Sequence, residues 1–352
     1  MFNRYIISES SSLLDALKAI NAIERGEAFT LFVSDSDNRI VGTLTDGDVR
    51  RSLIDGKNLS SSVSDVANRK FTYLKAGNYD VKQIHIAKEK GIELLPVLNE
   101  QMQIVDVVNL KKQKSYLPID AVLMAGGKGE RLRPLTEKTP KPLLKVGNKC
   151  IIDYNIDRLI SYGVRHLSVT VNYLKEQLEE HFAEPRGNVQ VKTVREPKFL
   201  GTIGSIKFVE HFYNDTVLLM NSDLFTNIDY EDFFLHFKEH DADMSIAAVP
   251  YTISVPYGIF ELDGRNVKGV LEKPTYNYYA NAGIYLIKRE LLELIPEGDF
   301  FNATDFMDML MNKGYKVIRF PLNGTWIDIG NPQEYQKAKE LVKHINCLLY
   351  TS

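Results

Sequence analysis

From Ile119 onward, short apolar runs alternate with amphipathic stretches, and that alternation is the most regular pattern in the chain. Asp120-Ala-Val-Leu-Met-Ala125 is short enough to be a buried strand and runs directly into glycines. Ile152, Ile156, Leu159 and Ile160 then recur at helical spacing. The same reading predicts strands over 166–171, 189–195 and 217–220, with helices over 174–182 and from about Gly204. Strands over 244–249, 258–262 and 284–287 and an amphipathic helix over 332–345 follow. Repeated strand–helix units predict an α/β fold: a doubly wound, mixed but mostly parallel sheet that receives ligands at the carboxyl ends of its strands.

The first 117 residues have a different texture, with shorter strands and helices and an internal repeat. Thr30-Leu-Phe-Val33 followed by Ile40-Val41 lines up with Leu94-Leu-Pro-Val97 followed by Ile104-Val105 at a constant offset. A helical pattern precedes each copy, with Leu13, Leu14, Leu17 and Ile20 in one and Val81, Ile84, Ile86 and Ala87 in the other. Two such units covering each other's apolar faces would make a small α+β domain. The charged stretch Leu110–Pro118 ends in proline and reads as a linker. The expected organisation is a domain over 1–117 (copies about 1–58 and 59–117), a larger domain over 118–346, and a tail over 347–352.

Composition narrows the classes of function. Hydrophobic residues make up 44% and charged residues 25%, so most of the chain can bury a core and disorder is a poor explanation. A formal charge of −3 supplies no basic field, which disfavours nucleic acid as a partner. Two cysteines, Cys150 and Cys347, make no disulfide framework and suit a reducing compartment. No signal-peptide pattern and no apolar run of ~20 residues is present, so a cytoplasmic protein without membrane contact is expected.

The chemistry concentrates in Ala125-Gly-Gly-Lys-Gly-Glu-Arg-Leu-Arg-Pro-Leu-Thr136 and the Pro140-Lys141-Pro142 that closes it. Gly126, Gly127 and Gly129 let backbone N–H groups approach an anion, while Arg131, Arg133 and Lys141 add positive charge. The spacing is neither a Walker loop nor a dinucleotide fingerprint. Asp223 follows the apolar strand 217–220, and Asp328 ends Thr325-Trp-Ile-Asp328. Two carboxylates at strand ends make a hard-oxygen set for Mg²⁺. Asn172, also after a strand, is either a helix cap or a neighbour of the ligand.

These motifs, in this order over about 120–345, resemble the sugar-phosphate nucleotidyltransferases. The resemblance implies that Arg131 grips departing pyrophosphate, Lys141 neutralises charge near the reacting phosphorus, and Gly126 and Gly127 pack against the nucleotide. Asp223 and Asp328 match the family's metal aspartates. Leu200-Gly201-Thr202-Ile-Gly204 resembles the segment beside the base and ribose. Glu272-Lys273-Pro274 would place the lysine on the sugar phosphate and the glutamate on sugar hydroxyls. Tyr257-Gly258 and Asn281-Ala-Gly283 resemble its other sugar-contacting segments. The implied reaction joins an NTP to a sugar 1-phosphate with release of pyrophosphate. It needs positioning and charge stabilisation, not a protein nucleophile.

Ile40-Val-Gly-Thr-Leu-Thr-Asp-Gly-Asp-Val-Arg-Arg51 resembles the ligand loop of a cystathionine-β-synthase-type (CBS) domain. Thr45 and Asp48 would meet the phosphate and ribose of an adenosine nucleotide. The second copy departs, with Asp106, Asn109 and Leu110 at the places of Gly42, Thr45 and Asp46, so at most one ligand site is expected, and a purely structural or dimer-forming pair stands beside a sensor. A CBS pair ahead of such a catalytic domain resembles a guanylyl-transferring subgroup that includes glucosamine-1-phosphate guanylyltransferases of the legionaminic acid route. That implies GTP and surface-glycan precursors; a homo-oligomer is also expected. Two other readings stand beside this one: a degenerate, non-catalytic nucleotide-sensing protein, and a cytidylyltransferase acting on a phosphorylated alcohol. The intact charged set argues against the first, and the Glu-Lys-Pro and Asn-Ala-Gly segments argue against the second.

Overall fold

The computed structural model describes residues 2–24, 26–77 and 79–349. It divides into two compact units, one of residues 1–117 with 161–163, the other of residues 118–160 with 164–352.

The first unit contains β1 (Ile6–Ser8), α1 (Leu13–Asn21), β2 (Thr30–Ser34), β3 (Ile40–Thr45) and α2 (Asp46–Ile54). These are followed by β4 (Leu74–Lys75), α3 (Val81–Glu89), β5 (Leu94–Leu98) and β6 (Ile104–Asn109). Its two three-stranded sheets share one topology. β1 runs parallel to β2 and β2 antiparallel to β3; β4, β5 and β6 repeat that arrangement. The register slips at Val33/Ser34 in one copy and at Val97/Leu98 in the other, the same place in each. The copies differ after their last strand. Thr45 and Asp48 form a reciprocal capping box that starts α2. At the matching point Asn109 and Leu110 supply no such box, and the chain makes a turn instead.

Glu27 links the two copies. It is only 4% exposed and accepts hydrogen bonds from Tyr5 Oη (3.1 Å), Asn109 Nδ2 (2.9 Å) and Lys112 Nζ (2.5 Å). The Lys112 hydrogen bond leads the causes that hold this carboxyl below its ordinary value. Its contribution is therefore present above the unfolded carboxylate pKa and lost as pH falls through the lower folded value. Glu27→Ala should destabilise this unit by about 2 kcal/mol, because buried Tyr5 and Asn109 lose their acceptor while solvent screens the lysine. Urea denaturation of the full chain followed by circular dichroism would measure it.

The second unit begins with β7 (Asp120–Met124). After a hairpin of β8 (Lys145–Val146) and β9 (Lys149–Cys150) come α4 (Ile151–Ser161), β10 (His166–Val171), α5 (Lys175–His181), β11 (Val191–Arg195), β12 (Thr216–Asn221), β13 (Leu224–Thr226) and α6 (Tyr230–Glu239). Then follow β14 (Met244–Ser254), β15 (Ile259–Asp263), β16 (Asn266–Leu271), β17 (Thr275–Lys288), α7 (Ala303–Asn312), β18 (Val317–Pro321), β19 (Trp326–Asp328) and α8 (Pro332–Leu349). Among the described residues the main sheet runs β11-β10-β7-β12-β17-β14-β18. β17 is antiparallel to both its neighbours, and the other pairs are parallel. The fold is the expected mixed α/β with a parallel-dominated sheet. Val122, Val217, Leu219 and Ile287 pack with Phe306 and Leu310 of α7 on one face of the sheet. The alternate residues Ala121, Leu123, Leu218 and Leu286 are also buried, so both faces are covered, as parallel strands require.

Several elements differ from the sequence expectation. The helix expected from Gly204 is a 3-10 turn, Gly204–Phe208. It stops after one turn, where the Val209 N–H donates to the Ile206 carbonyl and the backbone becomes extended. β14 and β17 extend well beyond 244–249 and 284–287, because their outer halves alternate where the reading sought continuous apolar runs. α6, with Phe233 and Phe237 buried at helical spacing, was not anticipated. Of the expected tail 347–352, Cys347 to Leu349 continue α8 and the remainder lies outside the described residues.

Candidate functional site

The site starts where β7 ends. The chain leaves the sheet at Ala125 and passes through the glycines to a 3-10 turn, Glu130–Leu132, that carries Arg131. Gly129 has φ +62°, and a Cβ there would stand 3.0 Å from Thr136 Cγ2 and 3.1 Å from Lys141 Cβ. Glycine is required at that position, and it brings Lys141 against the loop. Thr136 Oγ1 donates to the Gly129 carbonyl (2.8 Å), Tyr173 Oη to the Thr136 carbonyl (3.1 Å), and Gln177 Nε2 to the Lys138 carbonyl (2.9 Å). The positioning roles of these three side chains were not anticipated from the sequence. Only the folded loop shows that their partners are backbone carbonyls.

A similar scaffold holds Asp223. Ser222 Oγ donates to the Met124 carbonyl (2.6 Å), tying the end of β12 to the end of β7. Asn155, on α4 and 1% exposed, donates to the Leu224 carbonyl at 2.8 Å and the Ser222 carbonyl at 3.5 Å, on either side of the aspartate. Its neighbours Ile152 and Ile156 mark α4 as a buried helix, but nothing in the sequence shows what Asn155 grips.

Asp328 reaches the same place from far along the chain. β13 pairs antiparallel with β19, setting Leu224 opposite Asp328, and Ile329 N–H donates to the Asp223 carbonyl (3.2 Å). Lys141 forms an ion pair with Asp223 and lies 4.0 Å from Asp328. The Arg131 guanidinium packs against Gly330, where a Cβ would meet its Nη2 at 3.3 Å. A cavity of 590 Å³ is lined by Gly126, Gly127, Arg131, Lys141, Asn172 and Asp223, among others.

The donor set fits a divalent cation. Asp223 Oδ1 is buried and has no hydrogen-bond partner, and the neighbouring Asp328 offers a second carboxylate. Burial, and then the Asp223 charge, push the Asp328 carboxyl above its ordinary value against the pull of Lys141 and Arg131. A raised folded pKa contributes stability below the unfolded value that is lost as pH rises through the folded one. The ionised form of Asp328 is thus a burden on the metal-free fold. Asp328→Asn should raise the melting temperature in EDTA by roughly 1–3 °C, a small gain because the side chain is 43% exposed and screened. A fall in melting temperature would contradict this.

The other sequence-selected residues lie elsewhere. Gly201 (φ +80°) packs its backbone on the Phe301 carbonyl, and Thr202 Oγ1 accepts from Ala303 N–H (2.8 Å) at the start of α7. Neither lines the cavity. Tyr257, Gly258, Glu272 and Lys273 gather on an exposed arm formed by the outer halves of β14 and β17 with β15 and β16. There Gly258 backs onto Glu272, a Cβ falling 3.1 Å from its Oε2. Lys273 Nζ is 3.9 Å from Glu272 Oε1 and its side chain is 68% exposed. At the base of the arm, Asn281 Oδ1 accepts from Gly283 N–H (2.9 Å), and Gly283 (φ +72°) presses on Asn221 just before Ser222. Thr45 and Asp48 are engaged in the α2 cap, with Asp48 Oδ2 accepting from Thr45 N–H (2.9 Å).

Glycine-lined backbone after β7, the cations Arg131 and Lys141, Asp223 just past β12 and Asp328 at the end of the β13–β19 ribbon meet in an α/β fold with a parallel-dominated sheet, an arrangement suited to receiving an anion. The chain belongs to the nucleotidyl transferase family, whose model matches residues 120–344. It is similar to the mannose-1-phosphate guanylyltransferase catalytic subunit beta of Danio rerio, at 28% identity over 224 residues, 61% of this chain and 62% of that one. It is also similar to the bifunctional protein GlmU of Methanocaldococcus jannaschii, at 30% identity over 237 residues, 65% of this chain and 55% of that one. The chain thus spans less than two thirds of the length of these relatives. The crystal structure of HddC from Yersinia pseudotuberculosis complexed with GMP-PN matches 63% of this chain and 99% of that one, at 26% identity and TM-score 0.49. Among the described residues no helix is long and apolar enough to cross a membrane.

Proposed function

We propose that the chain makes an NDP-sugar and pyrophosphate from an NTP, GTP for preference, and a sugar 1-phosphate. The observation that carries this reading is the meeting of Asp223 and Asp328 around Lys141, beside the glycine loop and Arg131. In the reaction, an oxygen of the sugar phosphate bonds to the α-phosphorus of the NTP. The bond from that phosphorus to the bridging oxygen breaks, and pyrophosphate leaves with the electron pair. Gly126, Gly127 and Gly129 present backbone to the triphosphate. Arg131 holds the departing pyrophosphate in a bidentate fork, and Lys141 offsets charge at the reacting phosphorus. Asp223 and Asp328 would hold Mg²⁺, which supplies Lewis-acid charge neutralisation of the phosphates. Lys273, Glu272, Tyr257, Gly258, Asn281 and Gly283 are assigned to the sugar phosphate, and Gly201, Thr202 and Asn172 to the nucleoside side.

The guanine preference rests on the name of the Danio rerio relative and on the resemblance of the whole chain to guanylyltransferases that carry a CBS pair, including those of legionaminic acid synthesis. We take residues 1–117 as that pair, supported by its two matching sheets, with Thr45 and Asp48 as the adenosine-nucleotide contacts. The product would serve surface-glycan synthesis in the cytoplasm. Incubating the protein with each of the four NTPs, Mg²⁺ and a panel of sugar 1-phosphates, with released pyrophosphate as the readout, tests this directly. Turnover with GTP above the other three supports it, and no turnover with any pairing overturns it.

Gly126 offers a geometric test of the nucleotide loop. A Cβ there would fall 2.4 Å from Glu196 Oε1, and Glu196 is only 6% exposed. Gly126→Ala must displace either that carboxylate or the loop. The expected result is a 10–100-fold loss of kcat/KM for the NTP, because sub-ångström misplacement of a positioning loop is costly. Steady-state kinetics at saturating sugar phosphate would show it.

A further inference from the structure

A second cavity, of 730 Å³, opens at the opposite end of the sheet from the candidate site, where β7, β10 and β11 begin. Its lining includes Asp120, His166, Ser168, Lys192 and Tyr213. Strand register puts the first four on one face. Asp120 pairs with His166 and Val122 with Ser168 across β7 and β10, and Ser168 pairs with Lys192 across β10 and β11. Tyr213, from the segment before β12, stacks on His166 with ring centroids 4.0 Å apart and planes 17° from parallel. Lys192 Nζ lies 5.9 Å from the centre of the same tyrosine ring. Carboxylate, hydroxyl, ammonium and aromatic ring thus belong to one patch.

Asp120 is only 3% exposed. Its Oδ2 accepts from the N–H groups of Tyr213 (3.0 Å) and Asn214 (2.7 Å), while Oδ1 is buried with no hydrogen-bond partner. Buried polar atoms are nearly always answered, so a spare carboxylate oxygen on a cavity wall calls for a donor from a ligand. The rest of the patch narrows the choice. Tyr213, 56% exposed, offers a ring face to C–H groups, Ser168 a hydroxyl partner, and exposed Lys192 a charge for an anion. A phosphorylated sugar carries all the matching groups: hydroxyl donors on every edge, a C–H face and a phosphate. The volume is that of an ordinary small-molecule site. We propose that this cavity is a second ligand site, one that binds a phosphorylated sugar without reacting with it. Along β7, Asp120 stands about 13 Å from Met124, which lines the candidate site, at ~3.3 Å per residue. Both sites can be filled at once, and the proposal does not depend on the catalytic reading.

Calorimetric titration of the full chain with glucose 6-phosphate tests the proposal. The expected Kd is on the order of 0.1–1 mM. Glucose alone and inorganic phosphate alone should each bind at least about 10-fold more weakly, because each keeps only part of the contacts. Lys192→Ala should weaken glucose 6-phosphate by about 10-fold or more, with an unchanged circular dichroism spectrum because the side chain is exposed. Asp120→Asn, which turns an acceptor into a donor, should weaken it similarly; should that variant fail to fold, Lys192→Ala and Tyr213→Ala still decide the matter. Arg131→Ala, in the other cavity, should leave the affinity unchanged. No binding of glucose 6-phosphate, binding that survives Lys192→Ala and Tyr213→Ala, or binding lost in Arg131→Ala would overturn the proposal. Lys192-dependent binding of AMP in preference to glucose 6-phosphate would give the cavity to nucleotides, and overturn it as well.

Discussion

Asp223→Asn is expected to lower kcat by about 10³-fold while leaving the circular dichroism spectrum and melting temperature near those of the wild type. The backbone around Asp223 is fixed by groups the substitution does not touch, namely Ser222 Oγ on the Met124 carbonyl and Asn155 on the Leu224 carbonyl. Asparagine has the same shape, and loss of the Lys141 ion pair is offset by relief of the repulsion between Asp223 and Asp328, so the fold should respond little. The chemistry does respond. The partnerless buried Oδ1 and the oxygen facing Lys141 are the two acceptors that the proposed Mg²⁺ site and its lysine use. An amide removes the charge and turns one acceptor into a donor. Pyrophosphate release at saturating substrates measures the loss, and near-normal turnover would remove Asp223 from the site.

The second large effect concerns Lys141. Lys141→Met keeps the length of the side chain and deletes its charge. With one preorganised cation gone, kcat should fall by about 10²–10³-fold. The same change leaves Asp223 and Asp328 facing each other without the cation between them. The metal-free variant should therefore be less stable by about 1–2 kcal/mol, a value reduced by the solvent access of Asp328. Millimolar Mg²⁺ should then raise the melting temperature of Lys141→Met more than that of the wild type, because the ion replaces the missing positive charge. An equal shift in both proteins would show that the two aspartates do not share a cation.

The amphipathic and apolar runs made β7, β10, β11 and β12 legible in order, β7 and β12 most plainly because they are buried on both faces and read as continuous apolar segments, whereas the β8–β9 hairpin was not anticipated. The glycine loop was legible because a strand running into three glycines and basic residues has few other uses. The arm was misjudged in extent. Outside the core its strands alternate, and the continuous runs that marked the inner halves stop at the edge of the sheet. The Gly204 segment was misread for another reason, since the chain turns extended at Val209 after a single short turn.

By itself, then, the chain determined which residues carry charge and flexibility: the loop glycines, Arg131, Lys141, and the aspartates ending two short apolar runs. The internal repeat was equally visible, because matching apolar patterns recur at a constant offset. Tertiary structure alone decided who meets whom. The β13–β19 ribbon sets Asp328 beside Asp223, and Asn155 and Ser222 pin the aspartate's loop. These are contacts between distant segments, fixed by sheet order and backbone hydrogen bonding, and local sequence periodicity carries no information about pairings of that range.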